Sequence, residues 1–201
     1  PYLKPFENSK PSKHFFEWLA GVFDGDGCFS TMNFEGRPQK CVEVSMGIRD
    51  LKTLYYIQHM LGAGSIYRKY GDKDQFRWRL YDQGGIVNLL HLLNGNMRIR
   101  QKPFKDFCDH YGVTYLPPSP VTLESAWLSG YIATDGSIFY DVDMKQVVID
   151  LTAESFEYLS LFHKDLKFIR DELGFGTANP DKSKQVSKKK YWRVTGDHDL
   201  R

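Results

Sequence analysis

Two acidic residues sit in matched surroundings, Asp26 within WLAGVFDGDGCF (18–29) and Asp135 within WLSGYIATDGSIF (127–139), each followed by a glycine, Gly27 and Gly136. Two carboxylates brought within a few ångströms repel each other, and a divalent cation with oxygen ligands removes that repulsion at least cost. Magnesium fits this description. A hard cation held between paired carboxylates and a phosphate activates water and stabilises the leaving oxygen, which is the chemistry of phosphodiester hydrolysis.

The elements that would bring the two acids together are a pair of equivalent helices. Beyond the first match, LGAG at 61–64 returns as LGFG at 173–176, and Trp78-Arg79 returns as Trp192-Arg193, at offsets of 109, 112 and 114 residues in chain order. Colinear anchors with slowly drifting spacing indicate a tandem duplication with small insertions, so each half is expected to share one fold. Gly21 and Gly25 lie four apart on the first repeated helix, and Gly130 and Thr134 match them on the second. Such faces allow two helices to meet backbone to backbone, at a cost of about 1 kcal/mol of helix propensity per glycine that packing must offset. Duplication and these helices together imply a pseudo-twofold interface that delivers Asp26 and Asp135 side by side.

Periodicity supplies the remaining elements. Phe15, Trp18, Leu19, Val22 and Phe23 repeat at helical spacing, while 41–48 alternates, with Val42, Val44, Met46 and Ile48 on one face. A helix follows over 50–61, then a strand over 75–81 with Phe76, Trp78 and Leu80 inward, a helix over 86–93, and one over 102–110 opening at Pro103. The half reads αββαββα, an α+β fold. The first repeat is assigned to 14–112, a proline-rich linker to 113–123 and the second repeat to 124–201, with a strand at 146–151, a helix at 154–173 and a strand at 190–194. Since the sequence stops at Arg201, the second half is expected to be C-terminally incomplete.

Strand parity then predicts an outward face made of Ser30, Met32, Phe34, Gln39, Cys41, Glu43, Ser45, Gln75, Arg77, Arg79 and Tyr81, joined by Lys69. Tyr191 and Arg193 match Arg77 and Arg79 in the second half, and Lys188 and Lys189 lie in the basic run before them, positioned to meet phosphates. A strand of about eight residues spans roughly 26 Å, enough to follow a major groove, where arginines read guanine. Double-stranded DNA is the partner this pattern suits.

Composition narrows the class. The net charge is +2 from 27 basic and 25 acidic residues, too weak for indiscriminate coating of nucleic acid. Hydrophobic residues at 41% and charged residues at 26% reject wholesale disorder. No apolar run approaches the roughly 20 residues of a membrane span, so no membrane partner is expected. Cys28, Cys41 and Cys108 have no CxxC spacing and are read as packed thiols. Asp24, Asp26 and Glu35 occupy calcium-loop positions 1, 3 and 12, but Phe29 stands where that loop needs glycine.

LAGVFDGDG at 19–27 and LSGYIATDG at 128–136 resemble the two motifs of single-chain LAGLIDADG homing endonucleases, and the resemblance covers nearly the whole chain. It implies two αββαββα halves whose saddle-shaped antiparallel sheets lie over a long DNA target, with metal-dependent cleavage of both strands. It further implies that Asp26 and Asp135 bind metal, with the backbone carbonyls of Gly25 and Thr134 as secondary ligands. Asp24, matched by Ala133, is structural in that comparison. Family members often order water with a Gln or Glu just before the second helix, where Ile48 and Ala153 stand here. Arg100 is the first choice for a basic residue beside the metal and Lys102 the second. The implied cofactor is Mg2+, with Ca2+ or Mn2+ able to substitute. The implied state is an intron-encoded monomer with an internal pseudo-dimer in an organelle, the mitochondrion before the chloroplast. An intron-RNA maturase and a decayed DNA-binding protein are the alternatives on the same fold. Retention of both acids argues against decay, because a carboxylate pair without metal is an electrostatic cost.

Overall fold

In the computed structural model, which describes residues 11–154, 166–180 and 189–195, the Ser12 hydroxyl accepts from the Phe15 amide and opens α1 (Lys13–Asp26). The chain continues directly into β1 (Gly27–Phe34) and β2 (Arg37–Gly47), then passes a single 3-10 turn into α2 (Leu51–Leu61). β3 (Ser65–Arg68), β4 (Gln75–Leu80), α3 (Gln83–Leu93) and α4 (Gln101–Tyr111) complete the first half. Asp82 caps α3 by accepting from the Gly85 amide. The four strands form an antiparallel sheet in the order β1-β2-β4-β3. Phe29, Val42, Val44, Trp78 and Leu80 make its buried face. α4 closes over that face through Phe104 and Phe107, whose rings lie 5.6 and 5.4 Å from Phe29.

The second half repeats the plan with α5 (Trp127–Asp135), β5 (Gly136–Asp141), β6 (Gln146–Glu154), α6 (Lys167–Leu173), β7 (Thr177–Pro180) and β8 (Lys189–Thr195). Its sheet order is β5-β6-β8-β7, the same arrangement as in the first half. The matched sequence anchors turn out to be one physical device. The Trp78 indole donates to the Ala63 carbonyl at 3.0 Å and Trp192 donates to the Phe175 carbonyl at 3.2 Å. Under each ring sits a glycine at positive φ, Gly64 at 82° and Gly176 at 81°. A Cβ there would run into the indole, so both the left-handed backbone and the tryptophan require glycine.

α1 and α5 cross at the seam between the halves. A Cβ on Gly21 would overlap the Trp127 carbonyl, and one on Gly130 would overlap the Trp18 carbonyl. The two contacts are related by the duplication, and they give the backbone-to-backbone packing expected of these glycines.

Four expectations are corrected. Ile48 does not belong to the core face: β2 ends at Gly47, and Ile48 opens the turn into α2, 52% exposed. Its amide donates to the Asp74 carbonyl, which bends the chain off the sheet. The helix expected from residue 154 does not start there. β6 runs through Glu154, with Ala153 opposite Lys190, because pairing with β8 holds the backbone extended. Residues 155–165 lie outside the described residues, and α6 (Lys167–Leu173) falls within the expected helix. Cys28 is exposed, because the outward face of β1 carries no covering layer at that point, while Cys41 and Cys108 are buried. Cys41 points outward by parity yet is fully covered, as described below.

Candidate functional site

α1 and α5 end at Asp26 and Asp135, and Gly27 and Gly136 turn the chain into β1 and β5 in extended conformation. The Asp135 Oδ2 atom lies 3.5 Å from where a Gly25 Cβ would stand, so the second carboxylate rests against the residue preceding Asp26. Both acids thus lie at the seam, close enough for the charge of Asp135 to act on Asp26. Burial, and after it the charge of Asp135, lifts the Asp26 carboxyl to about 6, with Arg100 opposing the rise and Asp50 adding to it. Arg100 crosses the end of α1, donating from Nε to the Asp24 carbonyl at 3.0 Å and from Nη2 to the Gly25 carbonyl. A cation there also faces the negative end of the helix dipole. Lys102 is exposed and pairs with Asp106 at 3.6 Å, so Arg100 is the basic candidate that reaches the acids. On the α5 side, Tyr131 is buried and hydrogen-bonds Asp135, and burial with the charge of that acid drives its phenol well above its usual range. Thr134 fits its hydroxyl into the space opposite Gly25 and bonds it to the Tyr131 carbonyl at 2.9 Å.

The donor set decides which metal these residues fit. Among the described residues no three His, Cys, Asp or Glu side chains converge, which does not suit the Cys/His cages of structural zinc. Two carboxylates with nearby carbonyl oxygens suit magnesium, which keeps several waters and takes the rest of its shell from substrate phosphates.

Asp24 performs a different task. It is 1% exposed and both oxygens are fully used. Oδ1 accepts from the Ile99 and Arg100 amides, and Oδ2 accepts from the Arg98 amide and the Trp127 indole, at 2.7–3.0 Å. Burial pushes its carboxyl up and these four N–H donors push it down. Arg98 lies over the Trp127 ring at 5.0 Å and donates to the carbonyls of Asn96 and Ser119. Asp24 thus bolts α1, the 96–100 segment and α5 together and positions Arg100. Arg98, Trp127 and Tyr131 were not singled out from sequence for this role. The one available signal was Ala133 opposite Asp24, which marks the bolt as present once. Asp24→Asn would set an amide NH2 among four donors, and a loss of about 3 kcal/mol of stability is expected. An unchanged urea midpoint would refute that role.

On the outward face of the first sheet, Ser30, Met32, Gln39, Glu43, Ser45, Gln75, Arg77, Arg79 and Tyr81 are half-buried, while Phe34 and Lys69 are exposed. Arg79 bonds Glu43 at 2.7 Å, and Arg77 stands 3.9 Å from the same acid. Cys41 is 0% exposed and is withdrawn from the DNA-contacting set. The Tyr81 hydroxyl bonds the Cys41 thiol and lies 3.8 Å from the Met32 sulfur, so these neighbours roof the thiol over, and burial pushes it up to about 11. In the second half Arg193 bonds Asp150 at 2.8 Å. Lys189 and Tyr191 lie on β8, and Lys188 is outside the described residues. No helix among the described residues is long and apolar enough to cross a membrane.

The fold and seam define a pseudo-twofold α+β protein with an acid at the end of each central helix. The family model of the LAGLIDADG endonuclease matches residues 19–111. A probable intron-encoded endonuclease aI2 of Debaryomyces hansenii is 34% identical over 138 residues, 68% of this chain and 20% of that protein. The intron-encoded DNA endonuclease ai2a of Dictyostelium discoideum is 33% identical over 71% of this chain and 45% of its own. The intron-encoded RNA maturase bI4 of Saccharomyces cerevisiae is 31% identical over 85% of this chain and 26% of its own. This chain therefore spans less than half the length of each of these relatives. Among solved structures, meganuclease I-SmaMI bound to uncleaveable DNA superposes with a TM-score of 0.64 at 17% identity, over 96% of this chain and 80% of that one. I-AabMI bound to uncleaved DNA gives 0.64 at 15% identity, over 92% and 80%. The chain belongs to the LAGLIDADG endonuclease family.

Proposed function

We propose that this protein lays the outward faces of its two sheets along a long duplex DNA and hydrolyses one phosphodiester on each strand beneath the α1–α5 seam. The observation that carries the reading is that Asp26 and Asp135 both lie at that seam, with one polar, arginine-bearing sheet on either side. Residues 14–112 and 124–201 form the two DNA-binding repeats, joined by the linker, and one chain suffices for a target. Asp26 and Asp135 would hold magnesium, which when bound would supply charge neutralisation to the phosphate and a more acidic water. The chain itself contributes orientation: Asp26 and Asp135 with the Gly25 and Thr134 carbonyls fix the donor positions, and the Arg100 guanidinium faces charge developing on the phosphate. The outward residues of β1, β2 and β4, together with Lys188, Lys189, Tyr191 and Arg193, hold the duplex in register. Intron-encoded relatives support an intron origin, and organelle residence, in the mitochondrion, is proposed with it.

Incubation with a randomised duplex pool and magnesium, followed by sequencing of cut ends, tests this reading. A defined target cut on both strands is expected, and an absence of cut ends, or equal cutting by an Asp26→Asn variant, would overturn it. A proton competes with the cation for Asp26, whose pKa is raised to about 6. Magnesium affinity, read by calorimetry, should therefore be full above that pH and fall about tenfold per unit below it. An affinity that stays flat down to pH 5 would contradict the site.

The similarity to an RNA maturase favours a second reading, in which the same sheets bind intron RNA. Splicing assistance that survives Asp26→Asn would support it, and a chain that protects no intron RNA from nuclease digestion would exclude it.

A further inference from the structure

The seam is symmetric in its two acids but not in what holds them. Tyr131 stands four residues before Asp135 on α5, so the two side chains share one helix face, and the phenol donates to the Asp135 carboxylate. The matching place on α1 is Val22, which like Tyr131 is 0% exposed and has no polar atom to offer Asp26. The groups that act on Asp26 besides burial are charges, those of Asp135, Arg100 and Asp50. Packing alone does not call for the phenol oxygen. A valine fills the equivalent position, and a buried hydroxyl costs free energy unless it finds a partner.

The tyrosine is also held on every side. Its ring lies parallel to Trp127 at 5.2 Å, and the Trp127 indole is itself fixed by its 2.8 Å bond to Asp24. Its backbone amide packs so closely on α1 that a Cβ on Gly21 would come within 2.7 Å of it. A donor with so little freedom dictates the orientation of the carboxylate that it bonds.

We infer that Tyr131 is a positioning residue whose phenol fixes the Asp135 carboxylate before DNA arrives, whereas Asp26 receives no such bond from its own helix, so that the two matched acids serve the two strands unequally. The inference rests on the cleavage reading proposed above. Carboxylates that hold metal are themselves commonly hydrogen-bonded, and removing that outer partner weakens metal affinity or activity by about 10- to 100-fold.

Tyr131→Phe deletes one oxygen and keeps the ring on Trp127, and two measurements test it. In the metal-free chain, proton NMR should show a slowly exchanging phenol proton that is absent from Tyr131→Phe and displaced in Asp135→Asn. No such proton, or one unmoved by Asp135→Asn, would overturn the inference, and this arm stands even where Tyr131→Phe fails to fold. The second measurement uses the duplex recovered from the randomised pool, each strand being followed in a substrate already nicked in the other. Tyr131→Phe should raise the magnesium concentration for half-maximal cleavage by about tenfold on one strand and by less than about twofold on the other. Val22→Ala, which loosens the seam without touching a hydrogen bond, should leave the ratio between the strands unchanged. Equal slowing of both strands by Tyr131→Phe would reduce the phenol to a part of the fold, and no slowing of either would show that it positions nothing. Either result ends the inference and leaves the cleavage reading intact. A parent chain that cuts no duplex would sink both.

Discussion

Asp26→Asn is expected to lower cleavage by about a thousandfold or more and at the same time to stabilise the metal-free protein near neutral pH. The carboxyl sits beside Asp135 in a partly desolvated seam, and its pKa is raised from 3.8 to about 6. The folded state therefore binds this proton more tightly than the unfolded chain does. Stability falls as pH rises from about 4 to about 6, and above that the penalty is fully present. Solvent reaches part of the group, so the penalty is set at about 1 kcal/mol rather than at the full value of the shift. The asparagine variant lacks this titration. Urea titrations should find it more stable than the parent at pH 7.5 and equal to it at pH 4. A variant less stable than the parent at pH 7.5 would mean that Asp26 holds the fold together and is not a strained ligand. Activity held at a cost in stability is the usual signature of a built site.

Gly21→Ala should be among the most damaging single substitutions outside the acids. The added carbon would overlap the Trp127 carbonyl and crowd the Tyr131 amide. Both are backbone atoms of α5 and cannot rotate away. The helices would have to separate, which loosens Trp127, Tyr131 and the aspartate pair together. A loss of about 3 kcal/mol is expected, or about 6–12 °C in Tm for a chain of this size, with cleavage falling although both acids remain. Gly36→Ala is the comparison: nothing lies within 4 Å of the added carbon, and only the φ of 79° resists it, which costs about 1 kcal/mol. Equal losses at the two positions would show that the seam is not tightly packed.

How far the sequence could be read depended on where the constraint lay. The duplication was legible because its anchors are contact points with little tolerance: Gly21 against Trp127, Gly130 against Trp18, and Gly64 and Gly176 beneath their indoles. Strand parity located the outward face, including Arg79 and Glu43, but parity reports direction and not cover. Cys41 was therefore misjudged, since its roof includes Tyr81, which follows β4 and is distant in sequence. Ile48 failed for the opposite reason: alternation continued one residue past the point where the Asp74 carbonyl bends the chain. The start of the helix expected from residue 154 was misplaced because pairing with β8 keeps Glu154 extended, whereas Lys167–Leu173 is helical as expected. Arg98 left no trace at all, since its amide reaches Asp24 across 74 residues and nothing in the second repeat echoes the pair.

That bolt distinguishes the fused chain from a symmetric assembly. Trp18 matches Trp127, and Asp24 has Ala133 as its counterpart, so the indole–carboxylate bond between α1 and α5 exists in one direction only. Two identical first halves meeting about a true dyad would present Trp18 and Asp24 at both ends of the interface. In such a homodimer any substitution alters two places simultaneously, whereas in a tandem chain each copy drifts alone. Tandem duplication thus lets one half keep the lock while the other is free to diverge.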